Sequence, residues 1–261
     1  GGNLIMRNCC LRVLLSLFLF VSCGEKRTNP LIQNLDQSWV VTTDTLDIKM
    51  QVDIPSVIQA DMYENGLIPH PYKSNIEPQL LWIPQHEWEY SLDFKAEDYI
   101  LREDVIELVF EGLDTYADVR MNGVKILHAD NMFRTYSYDV KDIIEETNNI
   151  KIKFYPFDKE RDSLIETYPL RFPEKYAVMR KAAYQNGWDW APRYMNMGIW
   201  QPVYLKAWTR STICSASVIT NEIHDDKADL FFEACINADV EHDITLQLFQ
   251  ENEKILDKNI D

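Results

Sequence analysis

Short segments in which hydrophobic and polar residues alternate dominate the chain. Because successive side chains of a β-strand point to opposite faces, this period is typical of strands with one buried face. The alternating segments are residues 47–54, 88–94, 105–110, 117–121, 150–154 and 203–208. Helical periodicity is weak, and we predict only a short helix over 142–147 and a helical turn within 175–183. The pattern predicts an all-β fold.

The turn signals between these segments indicate how the strands are connected. Asn122-Gly123 lies between apolar residues, which is the strongest short-range signal for a two-residue β-hairpin. Many short strands separated by turns are typical of antiparallel sandwiches and barrels. We therefore expect a jelly-roll β-sandwich over residues 35–208.

Residues 155–197 lose the alternation. This stretch contains four prolines, and six tyrosines and tryptophans lie between Tyr168 and Tyr194. Long segments without regular structure inside a compact domain are usually functional or wrongly assigned. We interpret this one as a long ordered excursion over the sandwich.

Alternation returns in the C-terminal residues 209–261. Three strands are predicted, at 213–219, 228–238 and 243–250. An immunoglobulin-like sandwich needs about seven strands, so we interpret this part as the start of a truncated domain of that kind. A hairpin turning at 223–226 would bring Cys214 opposite Cys235, and the sequence leaves open whether a disulfide joins them.

The N-terminal residues 1–24 have the pattern of an export signal. A short basic segment precedes an apolar run at 13–21, which is too short to span a bilayer as a helix. Residues 20–23 resemble a bacterial lipobox, which predicts a lipid-bearing Cys23 followed by a tether over 25–34. The protein would then contact the membrane only through its lipid anchor, in the periplasm or outer membrane of the bacterial envelope. An ordinary secretory signal cleaved nearby is the alternative.

Charge and composition narrow the possible partners. The 261 residues include 26 Lys and Arg against 42 Asp and Glu, a formal net charge of −16. Because nucleic-acid binding relies on basic patches, we expect no nucleic-acid partner. Thirteen tyrosines and seven tryptophans against eight glycines indicate either ring-rich packing or a surface that faces sugars.

The candidate binding chemistry is concentrated in Trp188-Asp189-Trp190. A carboxylate accepts charge-assisted hydrogen bonds from sugar hydroxyls, and an indole offers a flat apolar face to a pyranose ring. In the alternative interpretation both indoles belong to a core and Asp189 caps a turn. The spacing alone does not decide between the two.

No other motif points to a cofactor or metal. The five histidines have no paired metal-ligand spacing, and neither a phosphate-binding glycine loop nor a Gly-x-Ser-x-Gly elbow occurs in the sequence. We expect a protein without a bound cofactor or metal.

Several motifs in order give the chain a family resemblance. Arg180-Lys181, the segment 186–192 and then Gly-Ile-Trp-Gln-Pro-Val at 198–203 resemble the hallmark stretch of β-mannosidases of glycoside hydrolase family 2. The segments 67–82, 88–90 and 112–136 are similar to that family in the same order. The resemblance runs from Leu35 to Trp208 and continues more weakly beyond. The chain departs from the family at His70, where an aspartate is usual, and at Ala191, where a glycine is usual.

The resemblance implies that sugar binding and catalysis involve different domains. In the family a jelly-roll sugar-binding domain precedes an immunoglobulin-like domain and a (β/α)₈ barrel, whose two glutamates hydrolyse terminal β-mannose with retention. No catalytic residue is expected in this chain, which we predict to be inactive without its own barrel. Asp189 would bind hydroxyls of the terminal mannose of a β-mannoside oligosaccharide, and Trp188 and Trp190 would shape the pocket. Arg180 and Lys181 match the motif, either as sugar contacts or as partners of neighbouring acids.

Two other functions stay open at this stage. One is a stand-alone carbohydrate-binding module, and the other is a family 2 glycosidase that acts on a β-glucuronide or β-galactoside.

Overall fold

The computed structural model of the protein describes residues 29–43, 45–73, 75–167, 175–225, 227–238, 244–250 and 252–260. The predicted export segment, including Cys23, lies outside these residues. The chain divides into two compact units, one formed by Leu31–Ala207 and the other containing Trp208–Asp261. None of the helices in the described ranges combines the length and the apolar composition needed to cross a bilayer.

Within the described residues, the larger unit is built mainly from twelve strands. They are β1 (Leu31–Asn34), β2 (Trp39–Thr43), β3 (Ile48–Val52), β4 (Trp88–Lys95), β5 (Val105–Phe110), β6 (Leu113–Asp114), β7 (Ala117–Met121), β8 (Val124–Ala129), β9 (Tyr136–Asp139), β10 (Thr147–Phe154), β11 (Gly198–Ile199) and β12 (Val203–Trp208). Six of them form a sheet in the order β3-β2-β4-β10-β7-β8, and four form a second sheet in the order β1-β12-β5-β9. The short strands β6 and β11 pair with each other. The predicted β-sandwich is confirmed.

Alternate side chains of both sheets meet in one hydrophobic core. In β4, for example, Trp88, Tyr90 and Leu92 are buried, whereas the residues between them are partly exposed. The indole N–H of Trp88 donates to the carbonyl of Ile83 at 2.9 Å, so this polar group is satisfied inside the core. Burial of each large apolar side chain contributes about 1.5–3 kcal/mol, which is why the alternation fixes the faces of the strands.

The Asn122-Gly123 hairpin forms as predicted. Met121 pairs with Val124 across a two-residue turn, and both turn residues have positive φ, 50° and 82°. Asn and Gly tolerate this left-handed region, which a type I′ turn requires at both central positions.

The helix predicted over residues 142–147 is wrong. The chain makes a turn there, and β10 begins at Thr147. The side chain of Asn148 accepts from the N–H of Glu145 at 2.8 Å and donates to its carbonyl at 2.7 Å. These bonds occupy main-chain groups that a continuing helix would use.

The helices of the larger unit lie between strands. They are α1 (Ile58–Glu64), α2 (Glu77–Leu80), α3 (Asp98–Leu101) and α4 (Phe157–Thr167), with 3₁₀ turns at Ile83–Gln85, Lys175–Val178 and Ala183–Asn186. The turn at Lys175–Val178 matches the helical turn expected within 175–183, and the turn at Ala183–Asn186 was not predicted. The sequence analysis missed α4, which buries few residues, among them Phe157 and Arg161. Its acidic first turn, with Asp158 and Glu160, is the signal that would have indicated a helix start.

The predicted tether over 25–34 overlaps a strand. Leu31 pairs with Ala207 and Asn34 with Tyr204, so Leu31–Asn34 belongs to the four-stranded sheet as β1. Hydrogen bonding to β12 therefore fixes the end of the segment that we expected to be a linker.

The described residues of the smaller unit form two hairpins, which have four strands where three were predicted. Strand β13 (Ser211–Ile223) pairs with β14 (Ala228–Ala238), and β15 (Ile244–Gln250) pairs with β16 (Glu253–Ile260). Cys235 pairs in register with Ser215, and the neighbouring Cys214 lies at a bulge. Both cysteines are exposed and free. An immunoglobulin-like fold for this unit stays a prediction.

A buried carboxyl, Asp61, makes the stability of the larger unit depend on pH. It accepts hydrogen bonds from Ser56 Oγ and, at 2.9 Å, from Tyr90 OH. Burial raises the pKa of Asp61 from 3.8 to about 6, even though both hydrogen bonds act in the opposite direction. Between those two pH values the unfolded chain has released a proton that the folded protein still holds.

We expect the free energy of unfolding to fall as pH rises from 3.8 to about 6 because of Asp61. The interval is roughly 2 pH units at about 1.4 kcal/mol each, so the loss approaches about 3 kcal/mol. Asp61→Asn removes the charge, and it should flatten this part of the profile and stabilise the protein at pH 8. Urea unfolding from pH 4 to 8 measures the effect, with the exposed Asp142→Asn as the control. Parallel profiles for wild type and Asp61→Asn would contradict this assignment.

Candidate functional site: an exposed Trp-Asp-Trp turn

The excursion, residues 155–197, has a small core of its own. Four buried side chains form it, and partly buried residues of α4 and the following 3₁₀ turn pack around them. The buried four are Tyr116, Phe157, Met179 and Met195. This core buries apolar side chains of the described part of the excursion separately from the main core.

Short contacts fasten the end of the excursion to the sandwich. Strand β11 pairs with β6, and the N–H of Met132 donates to the carbonyl of Arg180 at 3.0 Å. The indole N–H of Trp200 donates to the carbonyl of Met132, also at 3.0 Å. A Cβ at Gly112 would lie 2.5 Å from Nε1 of Trp200, so only glycine allows this close approach.

Residues 188–191 form a tight turn, which we call the Trp-Asp-Trp turn. The N–H of Trp188 donates to the carbonyl of Ala191 at 3.1 Å, and the reverse bond measures 3.2 Å. Asp189 and Trp190 therefore occupy the two central positions. Trp188 is 64% exposed and Trp190 79% exposed, and Asp189 is exposed between them. Of the two interpretations of this motif, the structure excludes the one in which both indoles belong to a core.

Gly187, just before the turn, and Arg193, just after it, pack against each other. Gly187 has φ +89°, and a Cβ there would lie 3.3 Å from Cβ of Arg193. The guanidinium of Arg193 donates to Tyr176 OH at 3.0 Å and lies 5.6 Å from the centroid of the same ring. These contacts hold the C-terminal side of the turn against the small core.

The two basic residues of the motif have different environments. Arg180 is exposed, and its backbone forms a parallel bridge with Asn131. The side chain of Lys181 is 1% exposed and forms an ion pair with Asp114, which is equally buried. Lys181 Nζ also donates to the carbonyl of Asn196 at 2.6 Å. Of the two possibilities for Lys181, the structure shows the pairing with a neighbouring acid.

Burial lowers the pKa of Lys181, and the charge of Asp114 opposes this effect. Asp114 accepts from Gln185 Nε2 at 3.0 Å and from the hydroxyl of Thr115. The peptide bond between Asp114 and Thr115 is cis. Both carboxylate oxygens are thus hydrogen-bonded in the interior, where an unpaired charge would be costly.

Sequence reasoning missed Asp114, Gln185 and Asn196 as parts of this region. Asp114 lies 67 positions before Lys181, so no local pattern connects the two residues. The available signal was an acid, Asp114 in the family-like segment 112–136, together with a lysine, Lys181 in the hallmark stretch. Both segments were recognised, but their contact was not.

A potential metal-ligand cluster lies in the smaller unit. Within the described ranges, Glu222, His224 and Asp229 form the group whose ligating atoms fall within 4.8 Å of one another. His224 Nε2 is 3.2 Å from Glu222 Oε2 and 3.9 Å from Asp229 Oδ2. The cluster is largely exposed, at the end of the β13–β14 hairpin.

Comparison with known sequences gives one matching family and a set of related enzymes. The family described as glycosyl hydrolase 2 galactose-binding domain-like matches residues 36–201. The β-mannosidase of Mus musculus is 29% identical over 187 residues, which cover 67% of this chain and 21% of that protein. β-Mannosidase B of Thermothelomyces thermophilus is 31% identical over 182 residues, covering 66% and 21%. The chain thus spans about a fifth of the length of these curated relatives.

Solved structures agree with these sequence relatives. The β-D-mannosidase of Dictyoglomus thermophilum superposes with a TM-score of 0.81 at 28% identity, over 88% of this chain and 29% of that one. A β-glucuronidase from an uncultured Clostridium species has a TM-score of 0.62 at 18% identity, over 93% and 40%, and shows a shared fold. The family match covers more than half of the chain, and it includes the Trp-Asp-Trp turn and every strand of the sandwich except β1 and β12. The chain belongs to the glycosyl hydrolase 2 galactose-binding domain-like family.

Proposed function

We propose that this chain is the N-terminal sugar-binding and scaffold part of an exo-β-mannosidase. Its complete protein would hydrolyse terminal β-D-mannose with retention, using two glutamates of a downstream (β/α)₈ barrel. The names of the sequence relatives and of the first structural neighbour support mannose as the sugar. The acid and indoles of the Trp-Asp-Trp turn would complete the sugar pocket of that barrel.

The exposed Trp-Asp-Trp turn is the observation that carries this proposal. Both indoles are mostly exposed to solvent, whereas large aromatic side chains usually bury most of their apolar surface. A sugar ring stacked on an indole, with its hydroxyls donating to Asp189, would cover part of this surface and use the charge. Arg180 is exposed and remains a candidate sugar contact, whereas the buried Lys181 is not one in this arrangement.

We further propose that the protein is exported and anchored through a lipid on Cys23. The support is the sequence of residues 1–24, with its basic start, short apolar run and lipobox-like end. Stable membrane binding requires two lipid chains, or one lipid chain together with a second membrane-binding element. An anchor of this kind on Cys23 would hold the enzyme at the envelope.

Hydrolysis by the protein expressed from its complete gene tests the proposed function. We expect kcat/KM for an aryl β-D-mannoside to exceed that for the matching β-D-glucuronide and β-D-galactoside by about 100-fold, because hydroxyl recognition discriminates strongly between sugars. The 261-residue chain alone should show no hydrolysis. A higher kcat/KM for another glycoside would contradict mannose as the preferred sugar. Sugar binding without any hydrolysis would indicate a carbohydrate-binding module.

A further inference from the structure

The two flanks of the Trp-Asp-Trp turn are joined by side chains at the base of its loop. Both main-chain groups of Asn196 are bonded to residues that precede the loop: its N–H donates to Gln185 Oε1 at 3.0 Å, and its carbonyl accepts from Lys181 Nζ at 2.6 Å. Residues 186–195 lie between these points. We call this set of bonds the neck.

The neck is anchored to the sandwich through one carboxylate. Asp114, at the end of β6, accepts from Lys181 through one oxygen and from Gln185 Nε2 through the other. Gln185 therefore uses its amide N–H₂ on the sandwich and its amide oxygen on the far side of the loop. Gln185 itself is buried, so water does not compete for these bonds.

A loop whose ends are fixed has fewer conformations to lose when a ligand binds. Turn residues that must be ordered at the moment of binding reduce the affinity by the cost of ordering them. The turn of residues 188–191 has its own two main-chain bonds at the tip, and Arg193, Tyr194 and Met195 make further hydrogen bonds on the flank that follows it. The neck joins this flank to the preceding one at the base of the loop, and so it limits how far Asp189 moves relative to the sandwich.

We propose that Gln185 is a positioning residue for sugar binding, which holds the Trp-Asp-Trp turn in its binding conformation by tying Asn196 to Asp114. The proposal rests on the proposed role of Asp189 in binding sugar hydroxyls. Gln185 does not touch the sugar, and it acts through the placement of Asp189.

Gln185 allows this role to be separated from stability. Removing Lys181 would leave the charge of Asp114 without its ion-pair partner, which destabilises the whole unit. Gln185→Leu leaves the ion pair of Lys181 and Asp114 in place and removes only the two amide bonds. A suitable control is Gln33→Leu, since the Gln33 amide also makes two bridging hydrogen bonds, in its case to the carbonyl of Lys95 at 2.8 Å and the N–H of Glu97 at 2.9 Å.

The test is a double-mutant cycle of Gln185→Leu and Asp189→Ala in the protein expressed from its complete gene, assayed on an aryl β-mannoside. Gln185→Leu should lower kcat/KM by about tenfold, mainly by raising KM, because the loop must then be ordered on binding. In the Asp189→Ala background the same change should have less than about a twofold effect, since the residue it positions is gone. Gln33→Leu should leave KM unchanged.

Each result decides a separate point. If Asp189→Ala has wild-type kinetics, the proposed function of the turn fails and the role of Gln185 fails with it. If Asp189→Ala impairs the enzyme but Gln185→Leu has no effect, or the same effect in both backgrounds, only the positioning role is overturned.

A second measurement tests the folded variant directly, and a second variant is available if the first does not fold. Hydrogen–deuterium exchange of residues 186–196 should accelerate in folded Gln185→Leu and stay unchanged in Gln33→Leu, because the Asn196 amide loses its acceptor. If Gln185→Leu does not fold, Gln185→Met, which keeps the length of the side chain, serves in the same cycle. Wild-type exchange together with wild-type KM in the folded variant would overturn the inference.

Discussion

Asp189→Ala should lower kcat/KM for an aryl β-mannoside by about 100-fold or more in the protein expressed from its complete gene. Hydrogen bonds to a charged group contribute about 1.5–3 kcal/mol each, and a carboxylate accepts from two sugar hydroxyls at once. Two such bonds correspond to at least about two factors of ten. The loss should appear in kcat as well as KM if these bonds strengthen in the transition state.

Two further variants make the Asp189 result specific. Asp189→Asn keeps the shape and one good acceptor, so its kcat/KM should fall between those of wild type and Asp189→Ala. The exposed Asp142→Ala should behave as wild type, which excludes a general effect of lost surface charge. Wild-type kinetics in Asp189→Ala would remove this acid from the site.

Of the substitutions proposed here, Lys181→Met should destabilise the protein most. The free energy of unfolding in urea at pH 7 should fall by about 3–5 kcal/mol. The reason is the buried carboxylate of Asp114, which loses its ion-pair partner in the protein interior. Combining Lys181→Met with Asp114→Asn removes both charges and should recover most of the loss. A double variant as unstable as the single one would show that packing of the lysine chain, not its charge, dominates.

The exposed pair of Lys95 and Glu146 is the matched control. Its ions lie 2.8 Å apart, but both side chains are largely in solvent. Water and salt screen such a pair, so Lys95→Met should leave the urea midpoint almost unchanged. The same lysine-to-methionine change thus separates the effect of burial from the effect of ion pairing.

The strands could be predicted from the sequence because their signal is local. In β4 and β7 the burial pattern follows the alternation of residue types, and the Asn122-Gly123 turn needs only its own two residues. Helix α4 was missed because its sequence offers a narrow apolar face. Its buried Phe157 packs against residues elsewhere in the chain, which no local window contains, whereas the buried Arg161 pairs with Asp158 and Asp162 of the same helix.

The candidate site was predictable in its chemistry but not in its support. The types of residue in Trp188-Asp189-Trp190 indicated sugar binding, and the structure places them on an exposed turn. The contacts of Lys181 and Gln185 with Asp114 span 67 and 71 positions. Contacts of that separation depend on how β6 and β11 pair, and only the assembled fold brings them together.

The separate small core of the excursion has a consequence for how the protein can change. Tyr116, Phe157, Met179 and Met195 stabilise the excursion without help from the turn at its tip. Replacements at the two central turn positions, Asp189 and Trp190, therefore remove little buried surface and should seldom unfold the protein. Binding specificity can therefore evolve at these two positions without loss of the fold. A library randomised at both positions and selected for binding should yield variants that recognise other glycans and still fold.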